Sequence, residues 1–397
     1  MNSARVDVLV AGGGPAGSAT ASHLARRGHS VLLIDRAHFP RDKACGEYLS
    51  PGVATALSRL GVMDLVAASN PAWPKGMQIL TPRTSFQLTY ANGSNGRSAL
   101  GLPRKVLDNI LLAHARRSGV EVCEGTRALE PLMSGLRMTG LRVRDARGER
   151  EIHARFVVVA DGLHSTISRA LGLDIPVRWP RRLGLVASFE GVTGIEEYGQ
   201  MHVGEGVYCG FAPVGQGAVN AGMVTRLGAK PKGEPVADYF DRQIAGIPTV
   251  VEALGNGRRV SSIRGVGPLA RKVRRASGPG YLLVGDAAGF FDPFTGEGVH
   301  RALRGAEIAA DAVEKALARD DCFPVGYERT RRRIFHDKER VCLLVQLFLS
   351  NGPTFNYVAG RIAARPAVND LLTGVLGDYE PAGPALRPGA MWNLLRP

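Results

Sequence analysis

The sequence predicts an α/β chain: a mostly parallel sheet interrupted by an antiparallel β-rich insertion and followed by a helical C-terminal segment. Three observations predict it. A strand, glycine turn, helix and second strand follow one another from Val6 to Asp35. Further apolar strand runs return far along the chain, at 156–160 and 281–284. Between those two runs, from about 183 to 225, strands are separated by glycines with no long helix among them, as in an antiparallel layer.

Val6–Val10 is short, apolar and rich in β-branched residues, the pattern of a strand buried on both faces of a parallel sheet. The turn after it holds Gly12, Gly14 and Gly17 in G-x-G-x-x-G spacing, with Pro15 and Ala16 opening a helix that runs to about Arg27. In that pattern the first glycine lets the chain reverse, the second lets backbone approach a pyrophosphate and the third lets helix pack on strand, so each position excludes a side chain. The helix then points its N-terminal N–H groups and the positive end of its dipole at the phosphates. The second strand, Val31–Ile34, ends on Asp35, an acid placed to accept hydrogen bonds from an adenosine ribose, which suits FAD or NAD and disfavours a 2′-phosphate. This is a Rossmann-like nucleotide-binding unit.

Beyond Asp35 the segment RAHFPRDKACGEYLSPG is a polar connection, and Pro51–Leu60 reads as a helix stopped by Gly61. Met77–Tyr90 mixes β-formers with polar residues, as an antiparallel pair with one wet face does. Leu107–Ser118 is helical up to Gly119, and Val120–Cys123 and Arg155–Ala160 read as further strands of the first domain. Asp238–Leu254 is a helix broken at Gly246 and Pro248, Tyr281–Val284 a buried strand, and Gly298–Leu317 a long Ala-rich helix. From about Pro324 the chain is helical to Asn369, then Pro/Gly-rich and expected to be extended. The expected boundaries are 1–72, 100–180 and 265–323 for the nucleotide domain, 73–99 and 181–264 for the β-rich domain, and 324–397 for the C-terminal segment with its tail.

With 397 residues, 45% hydrophobic and 22% charged, the chain is long and apolar enough for two domains with their own cores. Its five cysteines are scattered and never in C-x-x-C spacing, so neither a disulfide framework nor a metal cluster is indicated, and a reducing, cytoplasmic setting is expected. No signal-peptide pattern opens the sequence, and no run approaches the roughly 20 apolar residues of a membrane span. The net charge of +14 is carried mostly by dispersed arginines without a nucleic-acid-binding motif, so no nucleic-acid partner is expected. The basic stretch Arg329–Arg340 runs into VCLLVQLFL (341–349), an amphipathic helix with two uses open: packing on the core, or an apolar mouth peripheral to a membrane.

Two more motifs complete a resemblance. Asp161-Gly162-Leu163-His164-Ser165 follows the strand FVVVA, and Gly285-Asp286 follows YLLV, leading to Asp292-Pro293-Phe294-Thr295-Gly296-Glu297-Gly298 and a helix. With the glycine turn they resemble, in order and spacing, the flavoprotein superfamily of para-hydroxybenzoate-hydroxylase-type monooxygenases and geranylgeranyl reductases. The resemblance implies a discontinuous Rossmann-like FAD-binding domain with an inserted β-rich antiparallel substrate domain. It also implies that Asp286 accepts a hydrogen bond from a ribityl hydroxyl, that Asp161 braces the nucleotide loop, and that Pro293, Gly296 and Gly298 bring helix N-terminal amides to the flavin pyrimidine edge. Arg104 resembles the arginine that reaches the flavin side, the alternative being a solvated helix-start cation, and Arg36 sits where the adenine end is expected. Lys43-Ala44-Cys45-Gly46-Glu47 resembles a stretch that passes the isoalloxazine in geranylgeranyl reductases and halogenases. Cys45 is therefore the candidate catalytic residue, its alternative being a small buried hydrophobe. His164 and His300 are expected to be structural or solvated.

No second G-x-G-x-x-G follows a strand, so NAD(P)H is expected to dock transiently as reductant. Three reactions fit an apolar small-molecule substrate. The first expectation is an FAD monooxygenase hydroxylating an apolar or aromatic molecule with NAD(P)H and O2; the second is a reductase saturating isoprenoid double bonds; the third and weakest, lacking W-x-W-x-I-P, is a flavin-dependent halogenase.

Overall fold

A computed structural model describes residues 6–90 and 98–396. The segment 91–97, which the expected boundaries place in the β-rich domain, lies outside the described residues, as do 1–5 and 397.

Val6–Ala11 is the central strand of the parallel sheet. It pairs with Val31–Ile34 on one side and Gly148–Val159 on the other, Val8 standing beside both Val31 and Phe156. Glu121–Cys123 extends the sheet beyond the first neighbour and Tyr281–Leu283 beyond the second. Val8, Leu9, Val10 and Phe156–Val159 are fully buried, which is why these runs read as continuously apolar. Helix Pro15–Ala25 packs against both Arg104–Arg117 and Gly298–Ala318 beside the sheet.

Gly148–Val159 is twice as long as the sequence run suggested. Its first half joins Arg127–Ser134 and Arg137–Asp145 in an antiparallel meander that the sequence reading missed. Its buried positions Met138, Leu141 and Val143 are outnumbered by exposed charges such as Glu130, Arg142 and Glu151, which pair across the outer face and mask the period of two.

The second sheet runs in the order Arg182–Glu190, Ala218–Arg226, Val207–Pro213, Tyr198–Val203, Gly76–Leu80, Ser85–Thr89. It is antiparallel except where Tyr198–Val203 runs parallel to Gly76–Leu80. Helices Val236–Ala245 and Pro248–Leu254 cover one face, burying Phe189, Phe211, Tyr239 and Phe240. The other face, with Ile79, Leu88, Met201 and Val224, turns toward Leu163, Phe290 and Phe294 and toward the C-terminal helices.

The C-terminal segment corrects the expectation of an extended tail. Tyr327–Leu349 and Gly352–Ala363 are followed by two more helices, Pro366–Leu376 and Pro388–Leu395, with a short 3₁₀ turn at Gly383–Leu386. Pro366 and Pro388 sit in first turns, where a missing N–H costs nothing, so prolines that read as breakers are helix starts. Val341, Cys342, Gln346 and Leu349 face inward, while Leu343 and Leu347 face out. Among the described residues no helix is long and apolar enough to cross a membrane.

A buried polar cluster ties this segment to the first domain. Asp378 accepts hydrogen bonds from Lys338 Nζ at 2.9 Å and Ser50 Oγ at 2.6 Å, and His300 Nδ1 lies 3.4 Å away. The Gly52 N–H donates to Gly377 O at 2.9 Å. Burial alone would raise the Asp378 carboxyl; Lys338, His300 and Ser50 outweigh it and hold the group below the usual carboxylate range. A carboxyl depressed on folding contributes stability above its unfolded value, about pH 4, and loses it as pH falls further. Asp378→Ala, which strands the buried Lys338, is expected to cost about 3–5 kcal/mol in denaturant unfolding. Asp378→Asn is expected to flatten the loss of stability below about pH 4, and an unchanged acid limb in that variant would contradict the assignment.

Candidate flavin site

The glycine turn is fixed by its own backbone at two of three positions. A Cβ on Gly12, whose φ is +108°, would lie 2.3 Å from Ala160 O, and one on Gly17 would lie 1.8 Å from Gly12 O. Gly14 differs: a Cβ there meets only Arg41 Nη2, at 3.6 Å. The protein itself thus forbids side chains at Gly12 and Gly17, whereas the space at Gly14 is left to the cleft. Asp35 is buried, and its two oxygens accept the Gly13 N–H at 2.7 Å and the Ala37 N–H at 2.8 Å. The acid therefore stiffens the turn and also stands in the wall of a cleft of ≈ 580 Å³ shared with Gly12, Gly14, Arg36, Arg41, Asp161 and His164. Arg36 is exposed at its rim.

Ser165 caps the short helix Thr166–Ala170, and Asp161 Oδ2 accepts the Thr166 N–H of its first turn at 2.9 Å. The Asp161 Oδ1 is buried with no partner among the described residues. Burial pushes the carboxyl up, against hydrogen bonds from Ser165, Ile167 and Thr166.

A second, apolar cavity of ≈ 240 Å³ continues from this cleft, since Gly14, Lys43, Ala44, Ala160, Gly162 and Leu163 line both. Pro15, Ala16, Cys45, Arg104 and Asp286 border it, as do Pro293, Gly296 and Gly298. Asp286 begins a 3₁₀ turn after Tyr281–Leu283. Pro293–Thr295 is a second such turn, capped by Asp292 and closed by Gly296 at φ +68°, and it delivers the N-terminus of Gly298–Ala318 to the cavity. Apart from Gly17, which packs on Gly12, the cofactor positions expected from the sequence thus border one of two joined cavities, Arg36, Asp35 and Asp161 at one end and Pro293, Gly296 and Gly298 at the other.

Between the two ends the strap Lys43–Glu47 crosses the second sheet where Gly210 and Gly222 are register partners; a Cβ on Gly222 would lie 3.6 Å from Gly46 Cα. Asn220 Nδ2 holds the Cys45 carbonyl at 2.8 Å. Glu47, at φ +58°, accepts the Arg104 N–H at 2.8 Å, and burial raises its carboxyl. Arg104 is only 6% exposed, so it is no solvated cation. Its Nε and Nη2 each reach Asp108 at 2.9 Å, and Arg41 reaches the same carboxylate at 3.1 Å. Burial also lowers the ammonium of Lys43, with Arg104 adding to the effect. His300 belongs to the Asp378 cluster and His164 is exposed on the cleft.

Sequence reasoning passed over Lys43, Glu47, Tyr48, Tyr90, Tyr208 and Asp292 as site residues. The hydroxyl of Tyr48 donates to Gly76 O at 2.7 Å and that of Tyr208 to Asp292 at 2.5 Å. The only advance signal was that Lys43, Glu47 and Asp292 stand within motif stretches.

The residues fit FAD. The cleft offers an uncluttered Gly14 backbone, a helix N-terminus, an acid at the ribose end and an unpaired buried Asp161 oxygen, and it leads without a break into an apolar chamber. Gly14→Val is expected to fold, because a Cβ there meets nothing but the tip of Arg41, and to lose bound FAD. Flavin absorbance after gel filtration checks this, and full FAD occupancy in Gly14→Val would contradict it.

The model of the FAD binding domain family matches residues 5–317. A menaquinone reductase of Mycolicibacterium smegmatis is 28% identical over 91% of this chain and 89% of its own. A digeranylgeranylglycerophospholipid reductase of Methanosarcina acetivorans is 30% identical over 87% and 85%. Among solved structures, a flavin-dependent brominase shares the fold with a TM-score of 0.84 at 20% identity over 98% of both chains. A geranylgeranyl bacteriochlorophyll reductase-like protein of Thermoplasma acidophilum does so with a TM-score of 0.75 at 24% identity, over 98% and 95%. The chain belongs to the FAD binding domain family and is a flavin-dependent oxidoreductase of the para-hydroxybenzoate hydroxylase and geranylgeranyl reductase superfamily.

Proposed function

We propose that this protein is an FAD-dependent reductase that saturates a carbon–carbon double bond in the isoprenoid chain of a lipophilic substrate. The sequence put hydroxylation first. The relatives that align over most of the chain are named as reductases of a quinone and of a geranylgeranyl lipid, and this reverses the order. The observation that carries the reading is the wall that the second sheet gives the cavity: Met77, Ile79, Leu88, Met201 and Val224, with no charged side chain among its described lining residues. Charged groups in the cavity, Lys43, Glu47, Arg104 and Asp286, stand on the strap and the first domain. A site so divided suits a flexible hydrocarbon laid against a polar ring.

FAD bound here supplies, once reduced by a transiently docked NAD(P)H, the hydride for one alkene carbon. The chain's own part is to hold and dry the alkene. Flexible Met77 and Met201 adapt to a branched chain, and Phe290 and Phe294 narrow the chamber beside the Pro293–Gly296 turn. Cys45, on the strap beside Arg104, is proposed to border the ring.

Incubation of holoprotein with NAD(P)H and a geranylgeranyl lipid without oxygen is expected to give a product heavier by about two mass units per bond saturated, with the π bond replaced by two C–H bonds. A product that forms only with O2 and carries its oxygen would return the reading to hydroxylation. Cys45→Ser is expected to keep FAD but shift its absorbance and slow saturation about tenfold; full activity would leave Cys45 as packing.

A further inference from the structure

A buried phenol–carboxyl pair stands in the cavity wall and is used by neither the glycine turn nor the strap. Tyr208, on Val207–Pro213, is 3% exposed and lines the apolar chamber. Its hydroxyl donates to Asp292 Oδ1 at 2.5 Å, and the edge of its ring contact with Phe294, at 5.1 Å and 83°, keeps the phenol from swinging away. Asp292 is 2% exposed. The same Oδ1 accepts the Phe294 N–H at 2.9 Å, so one oxygen does all the capping of the Pro293–Thr295 turn. Oδ2 is buried with no partner among the described residues.

A cap alone needs no second oxygen left bare. An ionised carboxylate with one oxygen unsolvated is costly, and a proton on the group removes that cost. Burial raises the carboxyl to about 6, against the hydrogen bonds from Tyr208 and Phe294. The other charged or titratable neighbours are Arg182, which favours the ionised form, and Glu297, which opposes it; Arg182 and Cys342 also act on Tyr208. Above about pH 6 Tyr208 donates to a carboxylate; below it Asp292 holds a proton too, so that the pair carries one proton more than its hydrogen bond uses.

We propose that Tyr208 is the catalytic acid of the saturation step, and that Asp292 is the positioning group that returns its proton. The proposal rests on the reductase reading. The hydride assigned to the cofactor brings two electrons to one alkene carbon; the π pair forms the second C–H bond with the Tyr208 proton. The phenolate takes the proton of Asp292, which regains one from water when product leaves. Nothing beyond the reduced cofactor and water is consumed.

Two measurements test this. An infrared pH titration of the protein without substrate is expected to show a protonated-carboxyl band titrating near pH 6, absent in Asp292→Asn and moved to higher pH in Tyr208→Phe, where a hydrogen bond that favours the carboxylate is gone. Pre-reduced holoprotein mixed anaerobically with a geranylgeranyl lipid is expected to react at least about 100-fold more slowly in Tyr208→Phe. The lipid-induced change in flavin absorbance should remain in that variant, and Asp292→Asn should lose the rise in rate toward low pH. No titrating carboxyl between roughly pH 5 and 7, or a Tyr208→Phe protein reacting at the wild-type rate, overturns the proposal. Failure of the wild-type protein to saturate any lipid, with the infrared titration intact, would overturn the reductase reading and the acid role with it, while leaving the pair described correctly.

Discussion

The backbone contact between Gly17 and Gly12, where a single methyl would come within 1.8 Å of a carbonyl oxygen, sets the position of everything else in the site. It brings the helix Pro15–Ala25 hard against the end of the central strand. Gly12 in turn sits on Ala160, so the end of Gly148–Val159 is held in the same place. Asp35 reinforces the turn by accepting the Gly13 N–H, and Asp161, one residue beyond Ala160, accepts the Thr166 N–H in the first turn of the next helix. Three sheet strands and their following turns are therefore locked to one corner, and the cleft is the space that their close approach leaves over Gly14.

The second sheet contributes the opposite kind of wall. Gly210 and Gly222 thin it just enough for the strap to cross, while the flanking positions are apolar and uncharged. The strap brings Lys43 and Glu47 to the cavity beside Arg104, which is kept there by a buried carboxylate that Arg41 also grips. The result is a polar cleft and an apolar chamber in one continuous space. The C-terminal helices close the far side through Leu376, which lines the chamber, and through the Asp378 cluster that anchors them to Ser50 and His300.

Much of this was legible because it is local. The glycine turn, the acid at position 35, the Gly61 stop, at φ +83°, and the break near Gly246 and Pro248 all act within a few residues of the signal that announces them. What escaped the sequence depends on partners far apart. Tyr208 and Asp292 are 84 positions from one another, Glu47 and Arg104 57, and neither pair has a spacing that could mark it. The meander at 127–159 hid behind its charged outer face, and the tail was misread because a proline that ends one helix and a proline that starts the next look alike in isolation. The choice between reactions was not legible at all, since hydroxylation and saturation share the cofactor cleft and differ in what the chamber holds.

That choice is most directly tested by the flavin itself. Holoprotein reduced with dithionite in a sealed cell, then mixed with a geranylgeranyl lipid in the absence of oxygen, should recover its oxidised yellow absorbance as the alkene is saturated, one flavin for each double bond. Flavin that stays colourless with every isoprenoid lipid and regains its colour only when oxygen is admitted would contradict the account.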